Sequence, residues 1–459
     1  MSTPDTIAAV ATPPGTAGVG IIRVSGPLAP DMARLLFRPA RGVCAWESHH
    51  LYHGDLLSCD GQTILDEVLV TLMRQPHSFT GEDVLEIHAH GNPFILQAIL
   101  EELTKAGCRP AAPGEFSQRA FLADRMDLSQ AEALAAMICA QSARAFAMNL
   151  SQLKGSLGAR IDSLRHLFID ALAQLEAAID FCDDISDHEA QTLPPQIDEA
   201  ARVIETLLST CASARIYTQG ISAVITGKPN VGKSSLLNCL IGRKKAIVTD
   251  IPGTTRDAIT DSIDISGIPV HLTDTAGIRK PQDEIEKEGI NLVHQHLDSA
   301  DAVIILLDGS APLTAEDHAI LEQNAHTNHL IAINKCDLEK AWDEELLNRT
   351  PEESHPVVRI SAKFSLGVDE LKKTIIGLCG ASNDRLADET MITNLRHKIA
   401  LEAAQNALMA ARNCISRSAS PEFAAFELRE AVDRLDEITG QKIREEVLDK
   451  IFSSFCIGK

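Results

Sequence analysis

A phosphate-binding loop lies near the middle of the sequence. Residues 227–234 read Gly-Lys-Pro-Asn-Val-Gly-Lys-Ser, which fits the pattern Gly-x-x-x-x-Gly-Lys-Ser. A β-branched run, residues 221–226, precedes the motif, and an apolar helical period follows it. The glycines let backbone N–H groups face phosphate oxygens, and the helix N-terminus adds its partial positive charge. We therefore predict that Lys233 contacts the β- and γ-phosphates of a nucleotide and that Ser234 ligates Mg²⁺.

Two motifs further along the chain indicate that the nucleotide carries guanine. Residues 334–337 read Asn-Lys-Cys-Asp and follow the apolar run 330–333. The carboxylate of Asp337 can accept hydrogen bonds from N1 and N2 of guanine, which adenine does not offer, so ATP would leave the carboxylate unpaired. Residues 361–363 read Ser-Ala-Lys after another strand-like run, and their backbone is expected to contact guanine O6.

A fourth motif completes the expected phosphate site. Residues 274–277 read Asp-Thr-Ala-Gly. Asp274 is expected to hold Mg²⁺ through water, and the N–H of Gly277 to meet the γ-phosphate. By itself this motif is more often an ordinary turn at the end of a strand. All four motifs in this order and at domain-scale spacing are specific, and the segment resembles the Ras-like GTPases, whose fold is doubly wound α/β.

The segment departs from the Ras-like pattern where hydrolysis is concerned. Ile278 follows the fourth motif at the position of the water-positioning Gln, and its side chain cannot orient water. Catalysis must therefore recruit another group. Residues 253–257, Gly-Thr-Thr-Arg-Asp, stand where switch I belongs, and Thr255 is a candidate Mg²⁺ ligand.

A monovalent cation offers one way to replace an arginine finger. The side chain of Asn230 and oxygens of Thr249, Ile251 and Thr254 could coordinate K⁺ beside the phosphates. An ordinary alternative is that Asn230 only stabilises a turn. The predicted GTP-binding residues are Asn230, Val231, Gly232, Lys233, Ser234, Ser235, Thr249, Asp250, Ile251, Pro252, Gly253, Thr254, Thr255, Asp274, Thr275, Ala276, Gly277, Asn334, Lys335, Asp337, Ser361, Ala362 and Lys363.

Hydrophobic periodicity divides the chain into blocks that must position these motifs. Residues 1–122 alternate strand-like runs such as 21–24 and 68–72 with glycine-containing turns, and they include a predicted helix from Pro93 to Ala106. This indicates a compact α+β domain. An apolar helical stripe runs from Leu157 to Ile179 and returns over residues 392–399 and 423–438, which favours core packing over a partner-binding surface. We predict a multi-domain α+β and α/β chain, with a domain at 220–381 inserted into a helical domain made of 123–219 and 382–459.

The composition excludes several classes of protein. The chain has 459 residues, of which 45% are hydrophobic and 23% charged, as in soluble multi-domain proteins. The central apolar run 302–307 is much shorter than the roughly 20 residues of a membrane span, and no signal peptide is visible. The net charge is −22, so a nucleic-acid partner must be met by a local patch or through a second protein. Eleven cysteines without a Cys-x-x-Cys pair suit a reducing, cytoplasmic location.

Motifs near both ends of the chain narrow the family. The N-terminal stretches are ATPPGTAGVGIIRVSG (11–26), SFTGEDVLE (78–86) and GEFSQRAFLADRMDLSQAEA (114–133), and the C-terminal stretch is FSSFCIGK (452–459). Together with the nucleotide motifs they resemble the TrmE family of tRNA-modification GTPases, also called MnmE, over the whole chain. The resemblance implies an N-terminal α+β folate-binding domain that forms a homodimer, a helical domain, and an inserted Ras-like P-loop G domain.

The resemblance also implies a reaction and its partners. GTP hydrolysis, together with the FAD- and NADH-dependent protein MnmG in a heterotetramer or larger complex, would drive a modification of certain tRNAs. An aminomethyl or carboxymethylaminomethyl group is added at C5 of the wobble uridine, with a one-carbon unit from 5-formyltetrahydrofolate or a related tetrahydrofolate. The G domains pair across the dimer when GTP and K⁺ are bound.

Individual residues carry over from the family to this sequence. Folate contacts fall on Arg23, Glu82 and Lys459, and Arg125 stands where the family has a Lys, with the same charge but a different geometry. Glu286 falls on the group that orients the attacking water through a second water, beside the catalytic roles of Lys233 and Asn230. Ordinary alternatives are surface charges at Arg23, Glu82 and Glu286, and a frayed tail at Lys459.

Two other functions compete with this interpretation. A ribosome-assembly GTPase switch would share the G-domain motifs, but such factors usually carry a second G domain or a basic RNA-binding module, and this chain has one phosphate loop and no basic module. A free-standing folate-dependent one-carbon transferase would leave the G domain unexplained.

Overall fold

A computed structural model describes residues 5–41, 45–180, 195–242, 260–274, 300–343, 355–380, 391–417 and 420–458. The chain divides into two compact units. The first, here called the N-terminal unit, comprises residues 1–138, 149–204 and 396–459. The second, here called the nucleotide unit, comprises residues 139–148 and 205–395. The domain boundaries at residues 122, 219 and 381 stay predictions.

Both units combine helices with a sheet, and the elements of the described residues are numbered in chain order. The strands are β1 (Ile7–Val10), β2 (Ala17–Ser25), β3 (Phe37–Pro39), β4 (Leu51–Leu57), β5 (Ile64–Met73), β6 (Val84–Gly91), β7 (Arg109–Pro110), β8 (Ile221–Thr226), β9 (Thr260–Ile265), β10 (Ile268–Asp274), β11 (Ala302–Asp308), β12 (His329–Asn334) and β13 (Val357–Arg359). The helices are α1 (Ala29–Leu36), α2 (Pro93–Lys105), α3 (Glu115–Leu122), α4 (Leu128–Ile138), α5 (Ala143–Leu153), α6 (Ser156–Asp180), α7 (Pro195–Ser209), α8 (Cys211–Gln219), α9 (Lys233–Ile241), α10 (Ala315–Gln323), α11 (Val368–Leu378), α12 (Leu395–Ser416), α13 (Pro421–Thr439) and α14 (Glu445–Ser453). Within the described ranges, no helix is long and apolar enough to cross a bilayer.

The sheet of the N-terminal unit has seven strands in the order β3-β4-β5-β6-β2-β1-β7. Neighbouring strands run antiparallel, except that β1 and β7 are parallel. Helices α1 and α2 contribute to the core on one face, where Ile22 and Val24 of β2 are buried. Because side chains alternate along a strand, Arg23 and Ser25 lie on the opposite face. The strands predicted at 21–24 and 68–72 and the helix predicted from Pro93 are confirmed.

The helical part of the N-terminal unit confirms one predicted stripe and corrects another. On α6 the stripe is buried at Leu157, Ile161, Leu164 and Phe168, and this helix packs against α13. On α13 the predicted core residues Phe423 and Phe426 are 63% and 62% exposed. The buried face of α13 is instead made by small and medium side chains, namely Ala424, Ala425, Leu428, Ala431, Leu435 and Ile438. Helix α12 begins at Leu395, so Ile392 of the predicted stripe precedes the helix, and Leu395 and Ile399 of the same stripe are 67% and 56% exposed.

A buried ion-pair network joins α4 to the start of α12. Arg396 donates from Nε and Nη2 to the two carboxylate oxygens of Glu132, at 2.9 and 2.7 Å. His397 Nε2 lies 2.7 Å from Glu132 Oε2. Burial alone would raise the pKa of Glu132, but the hydrogen bonds with His397 and Arg396 outweigh it and lower that pKa to about 2. The carboxylate therefore stays ionised inside the helical part.

The nucleotide unit contains a six-stranded sheet in the order β13-β12-β11-β8-β10-β9. Only β9 runs antiparallel to its neighbour among the described strands of this sheet, so the other five end at the same edge. Alternate residues of β11 enter two apolar clusters on opposite faces: Ile304 and Leu306 in one, Val303 and Ile305 in the other. Helices therefore cover both faces, which confirms the predicted doubly wound α/β class.

Candidate functional site

The phosphate-binding loop connects the central strand β8 to α9. Its backbone is in the left-handed region at Asn230, with φ +64°, and at Gly232, with φ +104°, which also caps α9. A Cβ on Gly227 would lie 2.5 Å from the carbonyl oxygen of Leu306, and one on Gly232 would lie 2.3 Å from Nδ2 of Asn334. The two motif glycines are therefore required by close backbone and side-chain approach as well as by conformation.

Lys233, at the first position of α9, folds back over this loop. Its Nζ donates hydrogen bonds to the carbonyl oxygens of Gly227 at 2.7 Å and Lys228 at 2.9 Å, and the residue is 8% exposed. The ammonium is therefore fixed against the loop whose N–H groups the motif assigns to phosphate. Ser234 and Ser235 stand in the same first helical turn. The contact of Lys233 with phosphate and the role of Ser234 as a Mg²⁺ ligand stay predictions.

Asn334 brings three of the predicted motifs together. It ends β12, it is 3% exposed, and its Nδ2 donates to the carbonyl oxygen of Val231 at 2.8 Å. Its Oδ1 accepts a hydrogen bond from the N–H of Ala362 at 3.0 Å. One buried amide thus joins the phosphate loop to the Ser-Ala-Lys segment. The sequence motifs predict the segments themselves, but no pattern near Asn334 in the sequence predicts that its side chain links two of them.

Lys335 contacts a carboxylate that lies outside the four nucleotide motifs. Its Nζ lies 2.6 Å from Oδ2 of Asp308, which ends the adjacent strand β11. Burial would raise the pKa of Asp308, but hydrogen bonds from Lys335 and Ser310 outweigh it and lower that pKa. An acidic residue at the carboxyl end of the buried run 302–308 was the available signal. Of the other residues predicted to contact guanine, Asp337 and Lys363 are exposed and Ser361 is buried.

Several predicted site residues lie outside the described residues. They are the switch I residues Thr249, Asp250, Ile251, Pro252, Gly253, Thr254 and Thr255, the residues Thr275, Ala276 and Gly277, the carboxylate Glu286, and Lys459. Asp274 ends β10 and pairs with Ile225 of β8, which places its backbone next to the strand that leads into the phosphate loop.

A second cluster of predicted residues occupies the outer face of the N-terminal sheet. The guanidinium carbon of Arg23 lies 5.4 Å from the ring centre of Phe79 and 5.8 Å from that of Phe116. Its Nε and Nη2 both contact Oε1 of Glu86, at 2.9 and 2.8 Å. The side chain of Arg23 is 22% exposed, so this partly buried cation is held between two rings and a carboxylate.

Glu82 lies beside the same strand. Its Oε2 accepts a hydrogen bond from Oγ of Ser25 at 2.6 Å, and both of its oxygens lie 3.2 Å from Nη1 of Arg119. Ser25 follows Arg23 by two residues on β2, so both side chains share one face. Arg125 lies close by, since a Cβ on Gly81 would come within 3.5 Å of its Cγ. The structure therefore places Glu82 beside the strand that carries Arg23, and it places the aliphatic part of Arg125 next to Gly81, the residue that precedes Glu82.

The C-terminal tail returns to the same region of the N-terminal unit. The N–H of Gly114 donates to the carbonyl oxygen of Cys456 at 3.3 Å, and a Cβ on Gly458 would lie 2.4 Å from the carbonyl oxygen of Val10. Val10 ends β1, the neighbour of the strand that carries Arg23. Gly458 therefore lies against β1, which is the neighbour of the strand that carries Arg23.

Known proteins match this chain over its full length. A family model described as MnmE helical domain matches residues 128–456, and one described as GTP-binding protein TrmE N-terminus matches residues 6–125. The tRNA modification GTPase MnmE of Syntrophus aciditrophicus is 45% identical over 455 residues, which is 99% of each chain. The MnmE proteins of Heliobacterium modesticaldum and Natranaerobius thermophilus are 43% and 41% identical, over at least 99% of each chain.

Solved structures match a smaller part of the chain. The G domain of the T. maritima FeoB iron transporter is 25% identical with a TM-score of 0.27, and covers 34% of this chain and 98% of its own. A variant of Aquifex aeolicus Era bound to GDP·AlF4⁻ is 27% identical with a TM-score of 0.28, and covers 41% of this chain and 67% of its own. The family is shown by the full-length relatives and by the helical-domain model. The chain therefore belongs to the MnmE (TrmE) family of tRNA modification GTPases.

Proposed function

We propose that this GTPase, with the FAD-dependent partner MnmG, drives addition of a carboxymethylaminomethyl or aminomethyl group to C5 of the wobble uridine in certain tRNAs. A tetrahydrofolate such as 5-formyltetrahydrofolate supplies the one-carbon unit. The protein works as a homodimer in the cytoplasm, and MnmG joins it in a heterotetramer or larger complex. Full-length similarity to proteins named tRNA modification GTPase MnmE supports the reaction class.

The observation that carries the folate part is the cluster on the outer face of the N-terminal sheet. Arg23 lies against the partly exposed ring of Phe79, Glu82 accepts a hydrogen bond from Ser25 on the same face, and Arg125 lies next to Gly81. A folate has an anionic glutamate tail and a planar pterin with N–H donors, so this donor set fits it. In this proposal the guanidinium groups bind carboxylate, Glu82 accepts from the pterin, and Lys459 closes the site from the tail.

The nucleotide site is proposed to work with two cations. Ser234 and Thr255 would ligate Mg²⁺, and hydroxyl oxygens are the hard ligands that this ion prefers. Oxygens of Asn230, Thr249, Ile251 and Thr254 would hold K⁺, which supplies charge stabilisation between the β- and γ-phosphates. The left-handed backbone at Asn230 supports its place in a tight turn of the phosphate loop.

Water activation is assigned to Glu286. Because Ile278 replaces the side chain that positions water in Ras-type proteins, this carboxylate takes the role through a second water. Lys233 contributes by holding the β- and γ-phosphates, and its contacts with the carbonyl oxygens of Gly227 and Lys228 fix the position of its ammonium.

The test is complementation of a strain that lacks the gene, followed by mass spectrometry of nucleosides from bulk tRNA. The wild-type chain should restore the modified wobble uridine, whereas Lys233→Ala and the folate-site variant Glu82→Gln should not. Glu67→Gln is the matched control, because this exposed carboxylate lies on β5, two strands from β2, and pairs with His53.

Calorimetry separates the folate claim from the GTPase claim. Glu82→Gln and Arg23→Ala should weaken binding of 5-formyltetrahydrofolate while GDP binding stays at the wild-type level. Wild-type folate affinity in both variants, or full complementation by Glu82→Gln, would remove the outer-face cluster from the proposed function.

A further inference from the structure

The side chain of Lys228 has no role in the phosphate-loop motif, which uses only the backbone at that position. In the structure its Nζ lies 2.7 Å from Oδ2 of Asp317, in the first turn of α10. The two side chains are 17% and 1% exposed, so the ion pair is almost closed to water. These residues are 89 positions apart in the sequence. The phosphate loop is therefore tied to a helix that no nucleotide motif includes.

Asp317 needs this lysine as its countercharge. The same Oδ2 accepts hydrogen bonds from the N–H and Oγ1 of Thr314, at 2.9 and 2.7 Å, which caps α10. Burial would raise the pKa of Asp317, but hydrogen bonds from Lys228 and Thr314 outweigh it and lower that pKa, so the group is ionised. Among the described residues, Oδ1 of Asp317 has no hydrogen-bond partner. Lys228 is thus the cation that compensates a buried charge.

The backbone of Lys228 connects this pair to the chemistry. The carbonyl oxygens of Lys228 and Gly227 both accept hydrogen bonds from Nζ of Lys233. A side chain fixed on α10 limits how the peptide plane that carries this carbonyl can rotate. We propose that Lys228 and Asp317 are positioning residues for GTP hydrolysis, which hold the carbonyl on which the ammonium of Lys233 rests.

A purely structural role makes a different prediction. If the pair only stabilised α10, its loss would lower thermal stability and the fraction of active protein, while each active molecule bound GDP normally. If the pair positions Lys233, nucleotide affinity per active molecule falls, and the electronic environment of the β-phosphate changes. The phosphorus resonance of bound Mg·GDP reports that environment directly.

The experiment uses the full-length chain with four variants. Lys228→Met and Asp317→Asn each break the pair, and Lys228→Arg keeps the charge. The control is Lys340→Met in the same unit, because Lys340 pairs with Asp343 and both side chains are exposed. Active fraction is taken from the stoichiometry of GDP binding, and Kd, kcat and KM are expressed per active molecule. We expect the pair-breaking variants to bind GDP about tenfold more weakly and to shift the β-phosphate resonance, and we expect Lys228→Arg and Lys340→Met to match the wild type.

A double variant covers the case in which a single one fails to fold. Lys228→Met combined with Asp317→Asn removes both charges, so no buried charge is left without a partner. It should fold and still bind GDP about tenfold more weakly, because the side-chain anchor is missing. Wild-type Kd, kcat and phosphorus shift in the double variant would overturn the positioning role, as would single variants that lose only thermal stability. The inference depends on GTP hydrolysis alone, so loss of the folate proposal leaves it untouched.

Discussion

Replacement of Asn334 by Ala tests how the nucleotide site is held together. The change removes two hydrogen bonds, from Nδ2 to the carbonyl of Val231 and from the N–H of Ala362 to Oδ1, at 2.8 and 3.0 Å. Asn334 is 3% exposed, so water cannot readily replace either bond. A buried polar group left without a partner costs about 1–3 kcal/mol, so the two together cost about 2–6 kcal/mol.

That cost divides between domain stability and nucleotide binding. Because both backbone groups lie in segments expected to touch the nucleotide, we expect Asn334→Ala to weaken GDP binding at least tenfold, which is about 1.4 kcal/mol. The assay is titration with a fluorescent GDP analogue, together with thermal unfolding with and without GDP. If the affinity for GDP is tenfold lower, addition of GDP should raise Tm by a smaller amount than it does in the wild type.

Asn328→Ala is the matched control for this measurement. Asn328 immediately precedes β12, at the opposite end from Asn334, and its Nδ2 also bridges two segments, the carbonyls of Asp301 and Leu378 at 2.9 and 3.2 Å. It should lower Tm without changing the Kd for GDP. The reasoning is refuted if Asn334→Ala binds GDP as the wild type does, or if the two variants weaken GDP binding equally.

Three further results are expected. Asp337→Asn should lose its preference for guanine and bind XDP better than GDP, measured by competitive titration; unchanged GDP affinity would contradict the base-selecting role. GTP hydrolysis should be faster in K⁺ than in Na⁺ at equal ionic strength, and Asn230→Ala should abolish that difference. Glu286→Ala should bind GTP yet lose most turnover. Equal hydrolysis rates in both salts would exclude the K⁺ site. Glu132→Gln should lower Tm at pH 7, and the difference in Tm from the wild type should shrink as the pH falls from about 4.5 towards 2. A carboxylate whose pKa is lowered in the folded state stabilises the fold above its unfolded pKa and loses that effect when it is protonated. A difference in Tm that stays constant with pH would exclude the charge of Glu132 as its cause.

The nucleotide unit could be predicted far into its detail because phosphate binding restricts the backbone itself. The run 221–226 is β8, and the loop after it leads directly into α9. Side-chain contacts between distant segments could not be predicted from the sequence, because no pattern near Lys228 indicates that it pairs with Asp317. Periodicity has a similar limit: it predicted α13, but could not tell that a face of alanines would pack closely and leave Phe423 exposed.

The cluster of Arg23 and Glu82 on the outer face of the N-terminal sheet could not be predicted from residue types alone. A lone Arg and a lone Glu in a sequence are ordinarily surface charges, and only the family resemblance selected Arg23 and Glu82. The fold supplies a physical reason, because alternation along β2 puts Arg23 and Ser25 on the face away from the main core, and Ser25 then reaches Glu82. Both charges already have partners, Glu86 for Arg23 and Arg119 for Glu82. A ligand that binds here exchanges one ion pair for another, so its affinity must come largely from preorganised geometry and ring contact rather than from new charge pairing.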